Sequence, residues 1–247
     1  MDNKIFKKII GALGYKLYEK NYVKNQRLLD IKSKVNLNYI LEILFNQKII
    51  NSLIQIGAND GNDFDHLSMF IKKYNTKSLL VEPVLEHYNQ LRKNYASNTN
   101  VIFENYAISE DNLLKKIYAV KKEFRNLYGA HAKAISSFKI NHLLKHNIKK
   151  NHIEENLIKT ISLKELINKN NFSSFDLLFV DAEGYDGEII LNFFKNKFYS
   201  KVLIFEFIHI NHLLLTKVID ALITNKYKFF QVNENIVCLD KDINISI

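Results

Sequence analysis

Ser52-Leu-Ile-Gln-Ile-Gly-Ala-Asn-Asp-Gly61, followed one βα unit later by Leu79-Leu-Val-Glu-Pro83, is the stretch on which the reading of this chain turns. An apolar run that breaks into a Gly-rich turn, then a second apolar run ending in an acid, is how an α/β sheet builds a nucleoside pocket. Ser52 to Ile56 reads as a buried strand. Gly57 and Gly61 flank a turn where a ligand is expected to lie against bare main chain. Asn62-Asp63 offers an N-cap to a helix on which Phe64, Leu67, Phe70 and Ile71 recur at helical spacing, with Lys72 and Lys73 opposite. Glu82 ends the second strand, where a carboxylate can accept hydrogen bonds from both hydroxyls of a ribose. The turn is G-x-x-x-G and not G-x-G-x-x-G, so no diphosphate cradle is spelled out. A cofactor without phosphates fits it better than a dinucleotide.

Downstream the alternation continues. Val101 to Ser109 reads as a third strand, with a cofactor base expected near Tyr106, Ala107 and Ile108, and a short strand is predicted at Lys116 to Val120. The stretch from about Lys121 to Lys159 has weak periodicity and many His, Lys and Asn residues, and it reads as an insertion, the part least like a sheet. Ser162 and Glu165 form a capping box that starts a helix to about Lys169. Phe175 to Gly184 is a further strand, ending in Asp181, Glu183 and a glycine, with a helix from Glu188 to Phe198 after it. Val202 to Ile208 is the next strand and His212 to Asn225 the next helix. Such alternation predicts a mostly parallel sheet with helices on both faces.

Tyr227-Lys-Phe-Phe-Gln-Val232 and Ile236-Val-Cys-Leu-Asp240 are separated only by Asn233-Glu234-Asn235. A loop that short joins only antiparallel neighbours, because a parallel crossover needs a dozen or more residues. A parallel sheet finished in this way is the architecture of S-adenosylmethionine-dependent methyltransferases. A dinucleotide dehydrogenase would continue with another crossover.

Upstream, residues 1–47 read as a basic helical extension, with Ile5, Phe6, Ile9, Ile10, Leu13 and Leu17 forming an apolar stripe among lysines. That stripe suits either packing on the domain that follows, residues 48–247, or peripheral contact with an anionic membrane. Asn38 to Phe45 is apolar enough to dock on the sheet. The hydrophobic share of 47% predicts a globular protein, and no uninterrupted apolar run is long enough to cross a membrane. Without a recognisable leader, a cytoplasmic location is expected, with the inner membrane face as a secondary possibility. The single cysteine, Cys238, excludes an internal disulfide and reads as a buried thiol. A net charge of +9 invites nucleic acid, but arginine appears only as Arg27, Arg92 and Arg125, so nucleic acid is not the expected partner.

The chain resembles the FkbM family of S-adenosylmethionine-dependent O-methyltransferases. The resemblance runs through Gln55-Ile-Gly-Ala-Asn-Asp-Gly61, Val81-Glu-Pro83, Asn105-Tyr-Ala-Ile-Ser109, Val180-Asp-Ala-Glu-Gly-Tyr-Asp186 and Leu203-Ile-Phe-Glu206. It implies a Rossmann-like three-layer α/β sandwich, a seven-stranded sheet ending in an antiparallel hairpin, and methyl transfer to a hydroxyl of a sugar, glycan or other small metabolite. S-adenosylmethionine is the implied cofactor, held by Gln55, Gly57, Ala58, Asn59, Gly61, Glu82, Pro83, Tyr106, Ala107 and Asp181. Three departures stand out. Members usually carry an acid where Gln55 stands, a lysine where Val180 stands and a glutamate where Asp186 stands.

Asp181 and Glu183 are the candidate acceptor-facing groups, each an orienter or a base. His131 and His209 are the other candidate bases, because an unperturbed imidazole suits proton transfer near neutrality. The family resemblance also implies that Ser136-Ser137-Phe138 line the acceptor pocket, and the insertion is expected to choose the acceptor. Oxygens of Asp181, Glu183 and Glu206 are of the kind that hold hard cations, yet no dense ligand cluster is visible and no metal is expected. His142 and His146, at i and i+4, read as a solvated face. Two other classes stay open. An RNA methyltransferase would add a clustered basic surface, and a non-catalytic scaffold finds its support in Gln55.

Overall fold

A computed structural model describes residues 36–62, 65–129, 132 and 134–245. The stripe expected between Ile5 and Leu17 lies outside the described residues. The described residues begin with α1 (Leu37–Asn46), capped by Asn36, whose side chain accepts from the Tyr39 N–H. A helix of this length is marginal alone, so its order comes from docking Leu37, Ile40, Leu41, Leu44 and Phe45 against the sheet. Then follow β1 (Ser52–Ile56), α2 (Ser68–Tyr74), β2 (Lys77–Val81), α3 (Leu85–Asn94) and β3 (Val101–Glu104). Next come β4 (Ala107–Ile108), β5 (Leu114–Val120), β6 (Ser136–Ser137), α4 (Ile140–Lys145) and β7 (Ile153–Ile161). Helix α5 (Leu163–Lys169), β8 (Leu177–Val180), α6 (Asp186–Lys195), β9 (Val202–Glu206), α7 (His212–Thr224), β10 (Lys228–Val232) and β11 (Asn235–Leu239) follow.

The main sheet has seven strands in the order β3-β2-β1-β8-β9-β11-β10. Every neighbouring pair is parallel except those of β11, which runs antiparallel to both β9 and β10. The expected hairpin is present, and its second strand takes the inner place. The residue pattern says why. Ile236, Val237, Cys238 and Leu239 are all buried, as a strand flanked on both sides requires, whereas β10 carries Lys228 and Gln231 at the edge.

Alternate residues of the central strands feed two cores. Ile54, Ile56, Leu79, Val81, Leu178, Val180, Leu203 and Phe205 pack toward α5, α6 and α7. Leu53, Leu80, Leu177, Phe179, Val202 and Ile204 pack toward α1, α2 and α3. This is the three-layer sandwich. Among the described residues no helix is long and apolar enough to cross a membrane.

Three expectations need correction. The insertion is not the least sheet-like part, since β7 pairs antiparallel with β5 from Leu114↔Lys159 to Val120↔Ile153 in a second, four-stranded sheet of order β4-β7-β5-β6. Its central residues Glu155, Asn156 and Leu157 are exposed, and that polar outer stretch masked the strand. The predicted strand Val101 to Ser109 is broken in two. The Asn105 amide donates to the carbonyls of Glu82 and Pro83, turning the chain so that β4 leaves the main sheet and pairs with β7. Helix α2 starts at Ser68 and takes no side-chain cap, so Asn62-Asp63 does not open it. The preceding turn is closed by Asp65, whose Oδ1 accepts from the Leu67 N–H.

Candidate active site

A cavity of about 420 Å³ opens at the carboxyl ends of β1, β2 and β8, the switch point of the sheet, and reaches across to β9 and the β10–β11 turn. Its wall contains Gly57, Ala58, Asn59, Glu82, Pro83, Tyr106, Ala107, Asp181, Glu183 and His209 from the expected set. Ser136, Ser137 and Phe138 line it too, so the insertion does contribute to the pocket.

Glu82 is 4% exposed. Its Oε2 accepts from the Asn59 N–H at 2.9 Å and its Oε1 from the Val84 N–H at 2.8 Å. The acid therefore ties the turn after β1 to the end of β2 and keeps further lone pairs for a ligand. Burial pushes its carboxyl up to about 7, against the lowering effect of the two N–H donors.

The glycines have a different reason from the one expected. At Gly57, φ is +82° and an added Cβ would lie 1.8 Å from the Asp181 carbonyl oxygen, so the constraint comes from the neighbouring strand end. At Gly61 an added Cβ would meet the Tyr95 ring and Leu91, and Gly61 does not line the cavity. Gln55 does not line it either. Its amide donates to Asp65 Oδ1 at 3.0 Å, and it is Asp65 that reaches the cavity wall. Burial raises the Asp65 carboxyl above the usual range.

Beyond β8 the chain turns sharply through Asp181, Ala182, Glu183 and Gly184. Glu183 sits at φ +48°, a left-handed conformation that a non-glycine residue holds only when its surroundings demand it. Those surroundings are visible. Asp186, fully buried, accepts from the N–H groups of Ala182 and Gly184, while Ser137 Oγ donates to the Glu183 carbonyl at 2.9 Å. His142 Nε2 lies 2.9 Å from Glu183 Oε2.

His142 is thereby corrected: it is 8% exposed and packs inward on Glu183, not on a solvated face. His146 also turns to the cavity wall, and the His142 ring lies 4.4 Å from that of His209. His131 lies outside the described residues.

Carboxylates dominate the electrostatics. Burial, then the charges of Glu183, Asp186, Glu82 and Asp65, push Asp181 well above the usual carboxylate range. Burial and then Asp181 push Glu206 up to about 9. Burial and then the adjacent His142 pull His209 down to about 4, leaving it a neutral imidazole at neutral pH. Acids thus crowd the cavity wall. Glu206 and Asn235 line the cavity as well. Asn235 was missed because it becomes part of the wall only through the inner docking of β11.

The model of the methyltransferase FkbM domain matches residues 55–226. The chain belongs to the FkbM methyltransferase family. No curated protein sequence matches this FkbM methyltransferase. Among solved structures, the METTL16 methyltransferase domain is 12% identical, with 84% of this chain and 68% of that one covered, at a TM-score of 0.46. A methyltransferase FkbM from Methylobacillus flagellatus KT is 11% identical over 77% of this chain and 44% of that one, at 0.45, so this chain spans less than half the length of that structure. An O-methyltransferase from Bacillus cereus in complex with SAH is 10% identical over 96% of this chain and 97% of that one, at 0.41.

Proposed function

We propose that this FkbM methyltransferase transfers a methyl group from S-adenosylmethionine to a hydroxyl of a sugar, glycan or other small metabolite. The observation that carries the reading is one acid-rich cavity whose wall includes Glu82, Asp181, Glu183 and Ser136 to Phe138. Its donor set suits the cofactor, because a sulfonium and an ammonium are cations and the wall is rich in carboxylates. The ribose hydroxyls would find acceptor lone pairs on Glu82, and the turn Gly57 to Asn59 would border the nucleoside, with Tyr106 and Ala107 near its base. When bound, the cofactor supplies an electrophilic methyl carbon whose departure leaves a neutral thioether.

The chain's own work is then to hold an acceptor oxygen in line and remove its proton. Asp181 and Glu183 face the region where that oxygen would sit. Asp181, its carboxyl raised by burial and by the neighbouring acids, is the base in this reading, and Glu183 is fixed by Ser137 and His142 as the orienting partner. Titration calorimetry with S-adenosylmethionine and with its demethylated product tests the cofactor half. Heat for neither would refute the enzyme reading. Saccharides from wild-type and deletion cells, differing by one methylene in mass, would identify the acceptor.

A further inference from the structure

We infer that His142, His146 and His209, with carboxylate help from Glu183 or Glu206, form a site for a divalent transition cation at the acceptor end of the cavity. One ring nitrogen from each histidine lies within 4.8 Å of the others, and Glu183, Glu206 and His209 form a second overlapping set within the same limit. The three rings are mutually close, with centroids 4.4, 5.0 and 5.6 Å apart. They come from distant parts of the sequence. His142 and His146 belong to α4 and its C-terminal end, whereas His209 follows β9. Surface histidines at i and i+4 require no such third partner.

A second observation points the same way. Glu206 Oε2 is buried with no hydrogen-bond partner among the described residues, and it lies 3.7 Å from His209 Nε2, beyond hydrogen-bond reach. A buried carboxyl oxygen left in that state is costly until a proton or a cation joins it, and the adjacent imidazole nitrogens suit the site to a cation. Glu183 brings the other carboxylate to the cluster from a left-handed backbone conformation held on both its carbonyl and its side chain.

Imidazoles with a carboxylate are the donors of zinc, cobalt or manganese, and not of calcium or magnesium, which prefer all-oxygen shells. Glu183, Glu206, His146 and His209 all line the cavity, so an open coordination position would face the acceptor. A hydroxyl bound there would be oriented and made more acidic. This role for the cation rests on the methyltransferase reading; the cation site itself does not.

The test uses tag-free full-length protein stripped with chelator. Titration with zinc chloride and manganese chloride should give one site per chain, and cobalt(II) should develop the visible absorption of a four- or five-coordinate nitrogen-ligated ion. His142→Ala and His209→Ala should each weaken cation binding by at least about tenfold. Absence of both cation heat and the cobalt spectrum in the wild-type protein would overturn the site. So would unchanged affinity in both variants. S-adenosylmethionine binding is measured in parallel: cation binding without cofactor binding would keep the site and remove the methyltransferase reading, and the reverse would do the opposite.

Discussion

The side-chain amide of Gln55 donates to Asp65 Oδ1 at 3.0 Å, so a carboxylate from ten residues further along the chain is held beside β1. Gln55 itself is buried under the cavity, and Asp65 is the member of the pair that faces it. The amide therefore positions an acid and does not replace one. Asp65→Asn should weaken S-adenosylmethionine binding about tenfold, or about 1.4 kcal/mol. Calorimetry checks this, and unchanged affinity would show that the Asp65 charge does not act on the ligand.

Glu82 gives the ligand-free protein a pH dependence of known sign. Its carboxyl is ordinary in the unfolded chain, near 4.5, and raised to about 7 when folded. The folded state thus holds this proton more tightly, and the contribution is complete below about pH 4.5 and lost as pH rises through about 7. Glu82→Gln cannot ionise. Melting temperatures at pH 5 and pH 8 should show the variant gaining on the wild type as pH rises, by up to about 3 kcal/mol. A difference constant with pH would mean that Glu82 does not titrate in this window.

Gly57→Ala should be among the most damaging small changes in the sheet. The added methyl would overlap the Asp181 carbonyl at 1.8 Å in a backbone with φ +82°. Urea unfolding is expected to show a loss of at least about 3 kcal/mol. A near-neutral result would mean that the Asp181 turn can move away.

Ser137→Ala separates positioning from binding. It removes the hydroxyl that donates to the Glu183 carbonyl, a bond worth about 1 kcal/mol. Turnover should fall several-fold while S-adenosylmethionine affinity stays the same. A parallel loss of both would show that β6 supports the whole pocket and not Glu183 in particular.

Much of this architecture is legible in the sequence because it rests on local rules. The strands β1, β2, β8 and β9 are mostly apolar, as strands buried on both faces must be, and the short linker between β10 and β11 forces their antiparallel pairing. Ser162 caps α5 by accepting from the Glu165 N–H, as its capping box predicts. What stayed hidden depends on long-range packing. β7 hides because the middle of its outer surface meets water. His142 hides because helical spacing shows which residues share a face, but not that the face is turned toward His209, far away in the sequence. Gly57 reads correctly as a required glycine, for a reason that only the approach of the Asp181 backbone reveals.

The inner position of β11 also orders events in time. It is synthesised after both of the strands it separates, so β9 and β10 have no hydrogen-bonded link to each other until Asn235 to Leu239 emerges and slides between them. A nascent chain halted before that point presents the flank of β9 as an open edge, a target for chaperones and a seam for aggregation. Because Asn235 also lines the cavity, the pocket wall is completed in the same event that closes the sheet.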